Sequence, residues 1–186
     1  MEIWIAAAAV ALVFVWAIVT FNRLVRHRTR VDNGWSQIDV QLRRRYDLIP
    51  NLVEAVQGYA THESEVFQRV TEARARAQGA RGVADQAVAE NGVTSGLRQL
   101  LLVVEDYPDL KADGNFLALQ EELVGTESKI AYARQFYNDQ VARLNTSIQS
   151  VPSLLIARPF GFVEREFFEI DDPAARGPVS VDLGGT

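Results

Sequence analysis

The first feature that limits the fold is an uninterrupted apolar stretch at residues 3–21, with the sequence IWIAAAAVALVFVWAIVTF. It contains no charged residue, proline or glycine, and as an α-helix it would extend about 28 Å, close to the ~30 Å hydrocarbon core of a bilayer. Trp4 and Trp16 lie near the positions where interfacial aromatic side chains are favoured. A cleaved signal peptide is the alternative, but the chain has Glu2 where such a peptide carries basic residues. We therefore predict a transmembrane anchor over residues 1–22.

Four arginines directly after this stretch predict how the chain is oriented in the membrane. An excess of Lys and Arg marks the cytoplasmic side of a span, and the same side chains attract anionic lipid headgroups. We therefore expect a single-pass membrane protein with a very short external N-terminus and the bulk of the chain in the cytoplasm. The membrane-flanking residues are Arg23, Arg26, Arg28 and Arg30.

The rest of the sequence indicates helices, because its apolar residues recur at steps of three, four or seven and do not alternate. Apolar stripes of this kind cover residues 31–70, residues 93–104 and residues 116–148. The sequence GARGV at residues 79–83 breaks the pattern, and a turn at residues 105–115 separates the last two stripes. Helices that each have one apolar face must pack on one another, so we predict an all-α fold, an antiparallel bundle of three to four long helices.

These patterns divide the chain into four parts. No helix-breaking residue separates the anchor from the first stripe, so one helix is expected to continue from the bilayer into the bundle. The predicted parts are the transmembrane anchor at 1–22, the helical bundle at 23–151, a docked or extended segment at 152–170 and a mobile irregular tail at 171–186.

Composition excludes several kinds of function. With no Cys in 186 residues, the chain cannot form disulfides, thiolate metal sites or a cysteine nucleophile. A net charge of −5 and a pI of about 5.1 argue against a nucleic-acid partner, because phosphate binding depends on positive charge. His62 and Glu63 resemble the start of a zinc motif, but no second His follows four residues after His62. We predict no metal site and no cofactor.

One charged residue lies on the apolar side of the first predicted helix. At 100° per residue, the apolar side chains of residues 48–60 cover an arc of roughly 160°, and Arg45 falls near its middle. Arg43 points away from this arc and can pair with Asp39 or Asp47 at four-residue spacing. Because an unpaired charge is costly inside a protein, Arg45 must find acceptors.

The sequence offers two sources of acceptors for Arg45. Pro50 has no N–H, so the carbonyl of Tyr46 loses its helical partner. On the third stripe, Glu127 lies at the edge of the apolar face, with other polar residues near the same line. The predicted polar seam either fixes helix register or forms a binding site or subunit contact. Its candidate residues are Arg45, Tyr46, Glu127, Arg134, Asn138 and Asn145.

The sequence RVDNGWSQIDVQLRRRYDLIPNLVEAVQGYATHE, at residues 30–63, resembles the signature of the LemA family of bacterial membrane proteins. The resemblance continues in order along most of the chain after the anchor. The further matching motifs are VTEARARA at 70–77, VVEDYPDLKAD at 103–113, FLALQEELVGTESKIAYARQFYNDQVARLNT at 116–146 and GFVEREFFE at 161–169.

This resemblance implies a fold and a location, but no reaction. It implies a bacterial inner-membrane protein with one N-terminal membrane helix, a bundle of long helices and no established enzymatic activity. It also marks a set of residues as family hallmarks, and these complete the candidate seam. They are Asp47, Pro50, Asn51, and the adjacent Tyr137 and Asn138.

Two functions fit this reading, and an enzyme fits least, because Ser36 and Ser128 lack a positioned base. The first function is a membrane-anchored scaffold that self-associates and organises membrane or membrane-protein partners. Magnetosome proteins similar to LemA are linked to membrane formation, which favours this one. The alternative is an adaptor or signalling module that binds a partner, such as a membrane protease or sensor, through a groove near Arg45 and Glu127. The expected partners are the lipid bilayer, further copies of the chain and a membrane protein of unknown identity.

Overall fold

The structure is a computed structural model and describes residues 1–60 and 62–169. Within these residues the regular structure is helical and no strand is present, which confirms the all-α prediction for this part of the chain. The helices are α1 (Glu2–Gln57), α2 (Ser64–Gly79), α3 (Val83–Glu105), α4 (Pro108–Lys111), α5 (Gly114–Gln149) and α6 (Leu154–Ala157).

Helix α1 runs without interruption from the apolar N-terminal stretch into the bundle. Among the described residues, it is the one helix that is long and apolar enough to cross a membrane by length and composition. Its side chains are exposed as far as Val15, and Leu24 is the first that the bundle buries. The change from exposed to buried therefore takes place inside one helix, without a linker.

Helix α5 packs along α1 in the opposite direction. Arg44 of α1 contacts Glu122 near the start of α5, with 2.8 Å between Nη2 and Oε1. Gly34, which is earlier on α1, lies against Tyr137, which is later on α5. A Cβ at Gly34 would lie 3.2 Å from the Cα of Tyr137, so the missing side chain permits this close approach. Buried apolar residues of the two helices include Leu24, Val31, Ile38, Leu42, Ile49, Leu52, Leu123, Ile130, Val141 and Leu144.

Helices α2 and α3 form a second antiparallel pair. The break predicted at GARGV is confirmed, since α2 ends at Gly79 and α3 begins at Val83. Between them, Gly82 has a φ of +87°, a conformation that favours glycine and helps the chain reverse. Further along, Gly96 of α3 packs against Val70 of α2, where a Cβ would lie 3.1 Å from the Val70 Cα. The absence of a side chain at Gly96 therefore sets how closely these helices approach.

The structure divides the stripe predicted over residues 31–70 between two helices. Helix α1 ends at Gln57 and α2 begins at Ser64. The spacing of the stripe persists across the turn because Val56 and Phe67, on either side of it, both face the same core. Periodicity alone therefore did not mark the end of the first helix.

After α5, the chain passes through α6 and continues as an extended segment at residues 162–169, which we call the docked segment. Its backbone is hydrogen-bonded to side chains of α5. Phe168 is completely buried and packs edge-on against Trp35, with ring centroids 5.4 Å apart. The predicted tail at 171–186 lies outside the described residues.

Candidate functional site

Arg45 lies inside the bundle and contacts carboxylates from two other helices. Its side chain is 1% exposed. Nη1 donates to both carboxylate oxygens of Glu127 on α5, at 2.8 and 3.1 Å, and Nη2 donates to Oε2 of Glu90 on α3. Because Arg45 belongs to α1, one guanidinium joins three helices.

Glu90 is the most deeply buried charge of this group, with 0% of its side chain exposed. Besides the Arg45 guanidinium, it accepts hydrogen bonds at Oε1 from the Tyr46 hydroxyl and from Nε2 of Gln86, the latter at 2.7 Å. These donors supply the partners that a buried carboxylate requires. We call Arg45, Tyr46, Gln86, Glu90 and Glu127 the buried charge cluster.

The Tyr46 hydroxyl is held in its neutral form inside this cluster. Burial raises the pKa of Tyr46, and this effect outweighs the nearby Arg45 charge and the hydrogen bond from Gln86, which lower it. At neutral pH the hydroxyl therefore remains a donor to Glu90. It also accepts from Nε2 of Gln86 at 2.9 Å, so the polar side chains form a closed network.

Pro50 contributes to the same region through the carbonyl that it leaves free. The Tyr46 carbonyl, which lacks an amide donor at position 50, accepts a hydrogen bond at 2.7 Å from Nε of Arg74 on α2. The sequence suggested this carbonyl as an acceptor for Arg45, whereas the structure gives it to Arg74. The proline thus creates an attachment point between α1 and α2.

Asn138 and Asn145, which were predicted to share a seam with Arg45, lie elsewhere on α5 and bind the docked segment. Asn145 accepts from the Arg165 N–H at 2.9 Å and donates to the Arg165 carbonyl at 2.9 Å. Asn138 makes the same pair of bonds with the backbone of Phe168, at 2.9 and 3.2 Å. The predicted seam is therefore two separate sites, one around Arg45 and one along the docked segment.

The hydroxyl of Tyr137 belongs to this second site, because it donates to the carbonyl of Glu166 at 2.9 Å. Burial raises the pKa of Tyr137, so this hydroxyl also stays protonated at neutral pH. Three polar side chains on α5 thus pair with backbone groups of Arg165, Glu166 and Phe168 in the extended segment.

The other predicted residues lie at the surface or at its edge. Asp47, Pro50 and Asn51 are exposed, and Arg134 is half-buried. Arg43 pairs with Asp39 at 2.9 Å, one of the two partners that its spacing allowed. The four membrane-flanking residues are exposed on α1 just after the apolar stretch; they are Arg23, Arg26, Arg28 and Arg30.

Sequence reasoning missed Glu90, Gln86 and Arg74. A signal for Glu90 was present, because it precedes Val93 by three residues and Leu97 by seven, which places it on the apolar face of α3. This is the same reasoning that identified Arg45. The partners of Arg74 and Gln86 depend on how α2 and α3 are placed, which periodicity does not give.

Two apolar grooves lie on either side of α5. The groove between α1 and α5 has a volume of about 630 Å³ and is lined in part by Val40 and by Tyr132, whose side chain is 73% exposed. The groove between α3 and α5 has a volume of about 470 Å³ and is lined in part by Leu102 and Val124. Ser128 borders both grooves, so they lie next to each other along α5.

The arrangement of the cluster fits a structural role, in which its ion pairs hold α1, α3 and α5 together. The two carboxylate oxygens of Glu90 are engaged by protein donors, and its side chain is closed to solvent. Glu127 is the outward member, with 41% of its side chain exposed at the groove between α3 and α5. Over residues 1–60 and 62–169, no group of three or more His, Asp or Glu side chains is arranged to hold a metal ion.

Comparisons with known proteins place the sequence in a family. The LemA family model matches residues 34–183. The magnetosome protein MamQ of Magnetospirillum gryphiswaldense is 25% identical over 170 residues, covering 77% of this chain and 62% of MamQ. Magnetosome protein MamQ 2 of Paramagnetospirillum magneticum is 24% identical over 188 residues, covering 87% of this chain and 69% of the relative.

A relative that carries the family name is also similar. Protein LemA of Metamycoplasma hominis is 22% identical over 152 residues, covering 81% of this chain and 69% of the relative. The chain thus spans between 62% and 69% of the length of these relatives. Because the family model matches most of the sequence, including both sites described above, the chain belongs to the LemA family.

Proposed function

We propose that this protein is a non-enzymatic, membrane-anchored helical scaffold that self-associates and organises membrane or membrane-protein partners. The observation that carries this proposal is the continuity of α1. One helix supplies both the apolar stretch and a long edge of the bundle core, with no flexible linker between them. The bundle would therefore be held in a fixed orientation relative to the anchor helix.

The family and the charge pattern support a position at the cytoplasmic face of the inner membrane. The LemA family and the magnetosome relatives fit a protein associated with a membrane. The arginines that follow the apolar stretch favour the cytoplasmic side for the bundle, with the short N-terminus outside.

Self-association is supported by the surface on either side of α5. Large apolar side chains on α1, α3 and α5 remain exposed around the two grooves; they are Val40, Leu102, Val124 and Tyr132. Exposed apolar side chains that line grooves of this kind mark interaction sites. A second copy of the chain presents the same surface, so the contact can be symmetric.

Photo-crosslinking in the native membrane tests this function. A photoreactive phenylalanine analogue replaces Tyr132, and in the control it replaces Val88 of α3, which is equally exposed at 73% but lies outside both grooves. We expect self-adducts from position 132 and none from position 88. No self-adduct from position 132, or equal adducts from both positions, would exclude self-association through this surface.

The second candidate function is an adaptor, and the position of Glu127 favours it. This carboxylate lies at the boundary between the buried charge cluster and the apolar groove between α3 and α5. A partner helix with an apolar face and one basic residue would match both features. In the same experiment, a single foreign protein crosslinked to position 132, without self-adducts, would support the adaptor over the scaffold.

A further inference from the structure

The end of the bundle nearest the apolar stretch carries its own exposed apolar side chains. This part of the chain, residues 151–163, contains α6 and the first two residues of the docked segment, and we call it the foot. Leu155 of α6 has 67% of its side chain exposed, and neighbouring apolar residues are similarly uncovered. The exposed apolar residues of the foot are Val151, Leu155, Phe160 and Val163.

Contacts with α1 place the foot at the level of the end of the apolar stretch. The ring of Phe160 lies 5.1 Å from the ring of Phe21, and the ring of Phe162 lies 5.7 Å from it. Phe21 is the last residue of the apolar stretch. If that stretch spans the bilayer, Phe160 lies at the level where hydrocarbon meets headgroups.

The bundle also covers part of the apolar stretch itself. Helix α6 contacts α1. On α1, side chains that are partly covered appear at Trp16, Ala17, Thr20 and Phe21, which share one face, whereas the residues before Trp16 are exposed. Trp16 precedes Phe21 by five residues, or about 7.5 Å along the helix. The bundle therefore covers one face of the last two turns of the span, and the foot contacts this face at Phe21.

Basic side chains surround these apolar residues. Arg158 of the foot is exposed, as are Arg23 and Arg26 of α1. Arg28 lies over the ring of Phe162, with its guanidinium carbon 5.4 Å from the ring centroid. Apolar side chains that enter the acyl boundary, with basic side chains at headgroup level, are the pattern of interfacial membrane contacts.

We propose that the foot is a second membrane contact, which inserts Leu155 and its apolar neighbours into the interface of the same bilayer that the anchor crosses. This inference rests on the proposed membrane anchoring. The occupant is lipid because the foot lies against the end of the anchor, where headgroups and acyl chains must surround any exposed surface. Anionic lipid is favoured by the surrounding arginines.

Labelling of single cysteines tests the foot, and the natural chain has no cysteine to interfere. Full-length Leu155→Cys carries an environment-sensitive fluorophore and is reconstituted in vesicles of phosphatidylcholine and phosphatidylglycerol, with or without a spin-labelled lipid quencher. Val13→Cys reports on the anchor. The matched control is Val88→Cys, because Val88 is equally apolar and exposed but lies close to Glu90 on α3.

Val88 is far from the predicted bilayer surface. Glu90 contacts Arg45, which follows Phe21 by 24 residues on α1, or about 36 Å. We expect blue-shifted emission at positions 13 and 155, with loss of most of that emission when the lipid quencher is present. At position 88 we expect aqueous emission that the quencher does not change.

The outcomes separate the foot from the anchor. If position 13 is quenched while position 155 behaves like position 88, the foot does not enter the bilayer and only the anchoring stands. If position 13 is itself aqueous, the anchoring fails and the foot fails with it. Blue-shifted emission at position 155 that the lipid quencher leaves unchanged would assign this surface to a protein contact, which also overturns the inference.

Discussion

Replacing Arg45 with methionine removes the charge that Glu90 faces inside the bundle. Methionine keeps an unbranched apolar chain about as far as the Nε of arginine, so the main loss is the guanidinium, and Glu90 keeps only Tyr46 and Gln86 as donors. Breaking a buried ion pair from one side costs about 3–5 kcal/mol. For a chain of this length, each 1 kcal/mol lowers the Tm by about 2–4 °C, so we expect a decrease of roughly 6–20 °C.

A double-mutant cycle separates the ion pair from the packing. Glu90→Gln keeps an acceptor for Tyr46 and leaves Arg45 paired with Glu127, so we expect a smaller loss of about 1–3 kcal/mol. When Arg45→Met is added to Glu90→Gln, neither position carries a charge, and the Glu127 carboxylate is partly in solvent. The double variant should therefore lose less than the sum of the two single losses, by about 2–3 kcal/mol.

Glu127→Ala serves as the matched control for the cycle. The Glu127 carboxylate is partly in solvent, and its removal leaves Arg45 paired with Glu90. We expect a cost of about 1 kcal/mol or less. The cost is small because Glu90 remains as a buried partner of Arg45.

The assay is thermal and chemical denaturation of the full-length variants in detergent micelles, followed by far-UV circular dichroism at neutral pH. If Arg45→Met unfolds at the same denaturant concentration as the parent, the buried pair contributes no net stability. If the losses of Arg45→Met and Glu90→Gln simply add, the two side chains are not coupled in the way that their contact requires.

Three further predictions concern other parts of the fold. Asn145→Ala removes two hydrogen bonds to the docked segment, so we expect a loss of about 1–3 kcal/mol and faster limited proteolysis within that segment, with unchanged helix content by circular dichroism; an unchanged cleavage rate would contradict this role. Gly96→Ala forces a methyl group against the α2 backbone and should destabilise the protein by roughly 1–3 kcal/mol in denaturation experiments, whereas Gly125→Ala, with open space around its Cβ, should stabilise it by about 0.5–1 kcal/mol. Burial, followed by the charge of Arg23, lowers the pKa of His27, so the folded state favours the neutral imidazole. The stability that His27 contributes is therefore present above its unfolded pKa of about 6.5 and is lost as the pH falls. His27→Gln should flatten this decline in thermal melts measured between about pH 5 and 8. Equal pH dependence of the Tm in parent and variant would count against this prediction.

Local patterns in the sequence predicted the parts of the fold that depend on local chemistry. The absence of helix breakers before Arg23 predicted that the apolar stretch and the first bundle helix are one helix. The glycines around Arg81 marked the turn between α2 and α3. Helical periodicity placed Arg45 on the buried face, and the edge position of Glu127 identified one of its partners.

The rest depends on contacts between distant residues, which periodicity does not encode. The bonds between Asn145 and Arg165 form only because an extended segment returns along α5, and no repeating pattern marks such a segment. The apolar pattern did not predict the end of α1, for a different reason. Val56 and Phe67 lie in separate helices but keep helical spacing, because both face one core.

If the apolar stretch spans a bilayer, the continuity of α1 makes the bundle a rigid extension of the anchor that pivots at the membrane surface. From Asn22 to Ile49, before Pro50, the helix extends about 42 Å beyond the apolar stretch. A change in anchor tilt of about 20°, which is the average tilt of membrane helices, would displace the far end of this extension by roughly 14 Å. Because tilt responds to the match between span length and hydrocarbon thickness, a thinner or thicker bilayer would move the buried charge cluster sideways without altering any contact inside it.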